Sequence, residues 1–227
     1  MNVGIILAAG KTDTMGASVD RAFLNLGSRP MLAYSIEAFE QCAEINQVVV
    51  VVNKDRIEAA QAVCRMFGCS KLLDVIAGGA RRQQSLLNAL NILQDDDYKL
   101  VTIHEVSRPC VHYADIAQTI KSAKRYGSGV CAESVHGRIK YCERGRRVTE
   151  SLDSSKLWLS MYPQSYDLAL LRKGLAAAKK KKLSGSDESE AVELVSKDVR
   201  IVEPERPGIR IATVDDLALA AGLLKLA

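Results

Sequence analysis

Val3-Gly4-Ile5-Ile6-Leu7-Ala8-Ala9-Gly10 begins as an apolar run and breaks into residues almost without side chains. The run reads as a buried strand, and the small residues after it as a turn that lets backbone amides approach a ligand. Lys11-Thr12-Asp13-Thr14-Met15-Gly16 follows, so the turn has the composition of a loop that wraps a nucleotide, its N–H groups facing phosphate or base edges. Taken alone, the same stretch also fits a plain strand-to-loop turn of an α/β domain.

Working outward, apolar runs of strand length alternate with helical spacing. Asn2 to Ala8, Val48 to Asn53, Lys71 to Ile76 and Lys99 to Ile103 read as strands. Pro30 to Cys42, Asp55 to Phe67 and Arg81 to Leu93 read as helices, with Pro30 in the first turn and Gly68 just past an end. The order βαβαβαβ predicts an α/β fold with a Rossmann-like, mostly parallel twisted sheet and helices on both faces. In such a sheet ligands bind beyond the carboxyl ends of the strands, where Ala9-Gly10, Gly78-Gly79 and His104-Glu105 should converge. A last helix opens at Ala212-Thr213-Val214-Asp215-Asp216-Leu217, and Lys179 to Lys182 reads as a solvated helix end.

The 227 residues suffice for one domain with a sizeable core, and no shift in composition divides them. Apolar residues at 48% and charged residues at 26% exclude a disordered or fibrous chain. No apolar run approaches bilayer length and the N-terminus enters a strand directly, so a cytoplasmic protein is expected, without membrane contact. Cys42, Cys64, Cys69, Cys110, Cys131 and Cys142 lack zinc-site spacing and sit mostly within apolar segments, which reads as reduced, mostly buried thiols. His104, His112 and His136 share no metal-ligand spacing.

Gly129 to Ser151 stands apart. Arg138-Ile139-Lys140-Tyr141-Cys142, a turn at Arg144-Gly145-Arg146, and Val148-Thr149 predict a protruding β-hairpin arm over 129–151. A net charge of only +4 lends little weight to nucleic-acid binding, and a solvated or subunit-contacting arm is the better reading.

The ordered set Ile6-Leu7-Ala8-Ala9-Gly10, Met15-Gly16, Phe23-Leu24, Leu26-Gly27, Gly78-Gly79 with Arg82 and Ser85, His104 with Arg108-Pro109, Leu157-Trp158, Pro163-Gln164 and Asp215-Asp216-Leu217 resembles the 2-C-methyl-D-erythritol 4-phosphate cytidylyltransferase family. The likeness is collinear from Asn2 to the last helix. It implies a single nucleotidyltransferase-like domain over 1–227 and a homodimer that exchanges its β-arms. It also implies transfer of CMP from CTP to a sugar-alcohol phosphate in isoprenoid biosynthesis, with release of pyrophosphate and with Mg2+ as cofactor.

Residue by residue, Ala8, Ala9, Gly10, Gly79, Arg82 and Ser85 match positions that hold cytosine and ribose in the family. The cationic positions differ. Where the family has an arginine before Met-Gly this chain has Thr14, and the family's Pro-Lys pair aligns with Asp20-Arg21. Lys11, Arg21 and Arg210 are the cations available for catalysis. The family's metal-binding aspartate aligns with Glu105, which keeps a hard oxygen ligand one methylene further out. On the acceptor side, Asp-Thr aligns with Gly137-Arg138, the arginine after the arm with Ser154, and Asn-Ile-Lys with Gly208-Ile209-Arg210. Arg138, Lys140 and Asp187 are the acceptor candidates. Read without the resemblance, Lys11 is an exposed loop lysine and Glu105 a solvated strand-end carboxylate. Arg138 and Lys140 are surface charges, and Ser186 or Asp187 caps a helix.

Two functions follow. One is a divergent cytidylyltransferase acting on CTP and 2-C-methyl-D-erythritol 4-phosphate or a related polyol phosphate. The other is a catalytically impaired relative serving as a nucleotide-binding or partner-binding scaffold.

Overall fold

β1 (Asn2–Leu7) leads through α1 (Met31–Gln41) to β2 (Gln47–Val52), then α2 (Ile57–Met66), β3 (Leu72–Ala77), α3 (Arg82–Leu90) and β4 (Leu100–Glu105). This is the predicted βαβαβαβ order, with boundaries displaced by one to three residues. The computed structural model describes residues 1–12, 19–94, 97–183 and 187–226. Thr14, Met15, Gly16 and Ser186 lie outside the described residues, as does the side chain of Lys11. The chain continues through α4 (Tyr113–Tyr126), β5 (Ser128–Ser134), β6 (Ile139–Cys142), β7 (Val148–Leu152), β8 (Trp158–Asp167), α5 (Leu168–Lys180), α6 (Glu188–Glu193), β9 (Ile201–Val202) and α7 (Val214–Leu223). Among the described residues no helix is long and apolar enough to cross a membrane.

Seven strands form one sheet in the order β9-β5-β8-β4-β1-β2-β3. β1 runs parallel to both β2 and β4, β2 to β3, and β5 to β9, while β8 is antiparallel to both its neighbours. The chain winds from β1 outward to β3 and then returns to place β4 on the other side of β1. That reversal opens a crevice outside the carboxyl ends of β1 and β4.

Both faces of the sheet are dry, which is why β2 reads as an unbroken valine run. Ile6, Val48, Val50 and Val52 pack under α1, α2, α4 and α7, against residues such as Leu32, Ile36, Ala60, Ile116 and Ala220. Val3, Ile5, Leu7, Val49 and Val51 face α3, α5 and α6 through Leu86, Leu90, Leu171, Leu175 and Val192. Each of the Val, Leu and Ile side chains contributes about 1.5–3 kcal/mol on burial. Gly4 leaves room for α1 to approach: a Cβ there would lie 2.3 Å from Cδ1 of Phe39.

The arm is shorter than predicted. Gly129 to Ser134 belongs to β5 in the main sheet, paired to β8 and β9, with Val130, Cys131 and Ala132 buried. Only β6 and β7 make the separate two-stranded hairpin, turning at Arg144–Arg146 with Gly145 at φ +79°. The misplaced boundary has a physical cause, because β5 is an apolar strand followed directly by basic, alternating residues. Cys142, on this hairpin, is exposed, whereas Cys42, Cys64 and Cys131 are buried.

Candidate functional site

Backbone hydrogen bonds carry the strand ladder past its ends and fix three loops side by side. Ala8 N–H donates to Val51 O (2.7 Å), Gly78 N–H to Val52 O (2.8 Å) and Val106 N–H to Leu7 O (3.1 Å). A Cβ on Gly78 would stand 2.5 Å from Ala9 Cβ and 2.8 Å from Ser85 Oγ, so the double-glycine loop touches the turn after β1. A fourth segment joins them: Ile211 N–H donates to Ser107 O (2.8 Å) and brings Arg210 over the end of β4. α7 follows, capped by Thr213 with Asp216 Oδ2 accepting from the Ala212 and Thr213 amides.

These segments enclose a cleft of about 530 Å3. Its lining comprises Leu7 to Gly10, Gly79 to Arg82 and Ser85, with Asn53, Val106 and Ser107, and the charged side chains of Arg21, Arg210 and Glu105. Arg21 sits in a short turn capped by Asp20, whose carboxylate accepts from Ala22 N–H (3.2 Å), and its Nη1 reaches Ile211 O (3.5 Å). Burial, and then the like charge of Arg210, pull the Arg21 guanidinium below its ordinary pKa. Adjacent guanidiniums facing one cleft create a local demand for an anion.

Arg82 lines the cleft, but its donors are turned into the protein. Nε donates to Glu105 Oε1 (2.9 Å), Nη2 to Tyr162 OH (2.7 Å) and to Glu188 Oε2 (3.0 Å), and Nη1 to Glu188 Oε1. Tyr162 OH donates to Glu188 Oε2 (2.7 Å), and Arg82 Cζ lies 4.9 Å from the tyrosine ring centroid. Burial lowers the Arg82 pKa, but Glu188, Tyr162 and Glu105 together outweigh it and raise it. Ser85 is similarly engaged. Its hydroxyl accepts Gly79 N–H (3.0 Å) and donates to Arg81 O (3.3 Å), so it shapes the loop from a buried position.

Among the described residues that line the cleft, Glu105 is the one carboxylate. Oε1 is bound to Arg82, while Oε2 faces Arg210 Nε at 3.6 Å and accepts from Ser107 Oγ (3.4 Å). No group of three His, Cys, Asp or Glu side chains among the described residues could cage a metal ion. A single carboxylate beside two guanidiniums nevertheless fits a divalent cation that takes its remaining ligands from water or a bound phosphate, the arrangement Mg2+ favours.

The other expected residues are carried by further elements. Lys11 is in a two-residue strand paired with Val19–Asp20. Asp187 caps α6, Oδ1 accepting from the Ser189 and Glu190 amides (2.7 and 3.4 Å) and Oδ2 from Ser160 Oγ (2.5 Å) and Gln164 Nε2 (3.3 Å). Arg138 and Lys140 belong to the hairpin region, both exposed, with Lys140 Nζ donating to Ser151 Oγ (2.6 Å); neither lines the cleft of its own chain. Reading the sequence by pattern missed Glu188, Tyr162 and Arg108 as site residues. Arg108 Nε is buried without a hydrogen-bond partner, and its guanidinium borders a small cavity with Tyr162, Arg206 and Ile209. The Arg108-Pro109 pair after the His104 strand was its only signal, and Glu188 had the acidic pair it forms with Asp187.

The profile of the IspD family, 2-C-methyl-D-erythritol 4-phosphate cytidylyltransferase, matches residues 2–225. A protein of that name from Clostridium tetani is 30% identical over 224 residues, covering 99% of this chain and 90% of the relative. One from Geobacillus kaustophilus is 31% identical over 220 residues, covering 97% and 95%. Among solved structures, the 2-C-methyl-D-erythritol 4-phosphate cytidylyltransferase of Thermus thermophilus superposes with a TM-score of 0.78 at 26% identity, over 97% of this chain and 98% of that one. The 4-diphosphocytidyl-2C-methyl-D-erythritol synthase of Anaerococcus prevotii reaches 0.86 at 19% identity, over 99% and 96%, and so speaks for the fold alone. A correspondence that runs the length of the chain, from the first strand to the last helix, makes this protein a member of the 2-C-methyl-D-erythritol 4-phosphate cytidylyltransferase family.

Proposed function

We propose that this chain transfers CMP from CTP to 2-C-methyl-D-erythritol 4-phosphate, or to a related polyol phosphate, and releases pyrophosphate. The observation that carries the reading is the cleft, lined by Arg21 and Arg210 together with Glu105 at the reversal point of the sheet. An oxygen of the acceptor phosphate bonds to the α-phosphorus of CTP as the bond to the α–β bridging oxygen breaks, and that electron pair leaves with pyrophosphate. No covalent intermediate with the protein is needed, so the chain's work is to position two anions and neutralise their charge. Ala8, Ala9, Gly10 and Gly79 admit the pyrimidine and ribose at close approach, with Ser85 and Arg82 holding the walls. Lys11, Arg21 and Arg210 meet the phosphates. When bound at Glu105, a divalent cation, Mg2+ in this reading, supplies further charge neutralisation on the triphosphate.

The acceptor is assigned to Asp187 and to Arg138 and Lys140. None of the three lines the cleft of its own chain; Arg138 and Lys140, on the hairpin, serve a second copy's cleft in a homodimer that exchanges hairpins, each chain acting as one unit over 1–227. The test measures pyrophosphate release with CTP, Mg2+ and either methylerythritol phosphate or ribitol phosphate. Release above the enzyme-free blank is expected, and Arg21→Ala or Arg210→Ala should lower kcat/KM about a hundred- to a thousandfold, the usual cost of removing one charge-stabilising group. Calorimetric binding of CTP with no release from either acceptor would leave a nucleotide-binding scaffold; no binding at millimolar CTP would remove both readings.

A further inference from the structure

The two oxygens of Glu105 are held with unequal grip. Arg82, at Oε1, is pinned from behind by Glu188 and Tyr162, and the side chains of Arg82 and Glu188 are 29% and 3% exposed. Arg210, at Oε2, is 3.6 Å away, 49% exposed, and carried by a segment without regular secondary structure. A long, half-solvated ion pair holds its partners only a few-fold more than separation does. A guanidinium prefers a phosphate that it can bind through two donors.

We infer that Arg210 is an exchangeable counter-ion of Glu105: nucleotide phosphates draw it off Oε2 and free that oxygen for a divalent cation, while Arg82 keeps Oε1 and fixes the carboxylate's aim. The inference rests on Glu105 being the metal position in the proposed reaction. It makes the nucleotide-free chain a poor binder of divalent metal at Glu105, because that carboxylate is already neutralised from two sides. Arg82, Glu188 and Tyr162 become positioning residues that act through Glu105.

The test is Mn2+ binding to the full chain without nucleotide, followed by electron paramagnetic resonance. Arg210→Gln, at a half-exposed position, should bind Mn2+ about fivefold more tightly than the unmodified protein, the fold-change of an exposed ion pair at the upper end of its range. Arg81→Gln removes the same charge from the lining of the same cleft without touching Glu105, and its gain should stay below about twofold, as expected for a screened charge. In Arg210→Gln/Glu105→Gln the gain should vanish. An Arg210→Gln protein no better than Arg81→Gln overturns the exchange and leaves the metal position standing. A gain that survives Glu105→Gln overturns both, because the cation would then sit elsewhere.

Discussion

His104, next to Glu105 in β4, is fully buried, with neither ring nitrogen hydrogen-bonded and its ring centroid 5.7 Å from that of Phe39. Burial, and then the charge of Arg108, push its pKa down from 6.5 to about 3. The imidazole is therefore neutral in the folded protein, while in the unfolded chain it takes up a proton near its ordinary value. Its contribution to stability is complete above pH 6.5 and is lost progressively as pH falls toward 3, because the unfolded state binds the extra proton over that interval. The slope approaches one proton, about 1.4 kcal/mol per pH unit. His104→Leu should flatten the urea-midpoint profile between pH 6.5 and 3.5 while leaving the profile above pH 7 parallel to the parent's. An unchanged acid limb in the variant would mean that other groups carry it. The histidine itself was visible in the sequence, but its neutrality was not, since it follows from what α1 and the Arg108 turn place around the ring.

At the scale of elements, the contact between the loop before α3 and the turn after β1 decides whether a nucleotide can be held. Gly78→Ala inserts a methyl where only 2.5 Å separates the new carbon from Ala9 Cβ, so the two loops must part. Overpacking of this kind costs about 1–3 kcal/mol of stability. CTP affinity, measured by calorimetry, should fall by at least about tenfold through misplaced walls, since positioning is most of what the cleft supplies. Unchanged affinity would show that these loops do not cradle the base. The convergence itself was legible from Ala9-Gly10, Gly78-Gly79 and His104-Glu105, because a parallel sheet sends all such loops to one edge. The commitments of Arg82 were not. Its spacing to Ser85 on one helix face said that both point toward the crevice, but Glu188 lies 106 residues further on and nothing local announces that pairing. α4 went unread as well, although His112 caps it and Gly127 ends it in a left-handed conformation.

For the whole molecule, the open question is what the hairpin rests on. Two isolated strands are marginal in water, yet among the described residues β6 and β7 pair only with each other. Tyr141 and Val148 on the hairpin, and Trp158 and Leu159 where β8 leaves it, are 59%, 54%, 40% and 53% exposed. Apolar surface gathered on one protrusion marks an interface, and a second copy of the chain, reached by exchange of hairpins, covers it in the proposed homodimer. The described lining of the cleft, by contrast, lies outside the hairpin. Replacing residues 137–153 with a short Gly-Ser link should therefore separate the two functions of the molecule. Sedimentation equilibrium should report a dimer for the full chain and a monomer for the shortened one. CTP binding should stay within about threefold of the parent, an interval of under 1 kcal/mol, while turnover with methylerythritol phosphate should collapse because Arg138 and Lys140 are gone. A full chain that sediments as a monomer, or a shortened chain that turns over normally, would remove the hairpin from the acceptor site and leave those two cations as surface charge.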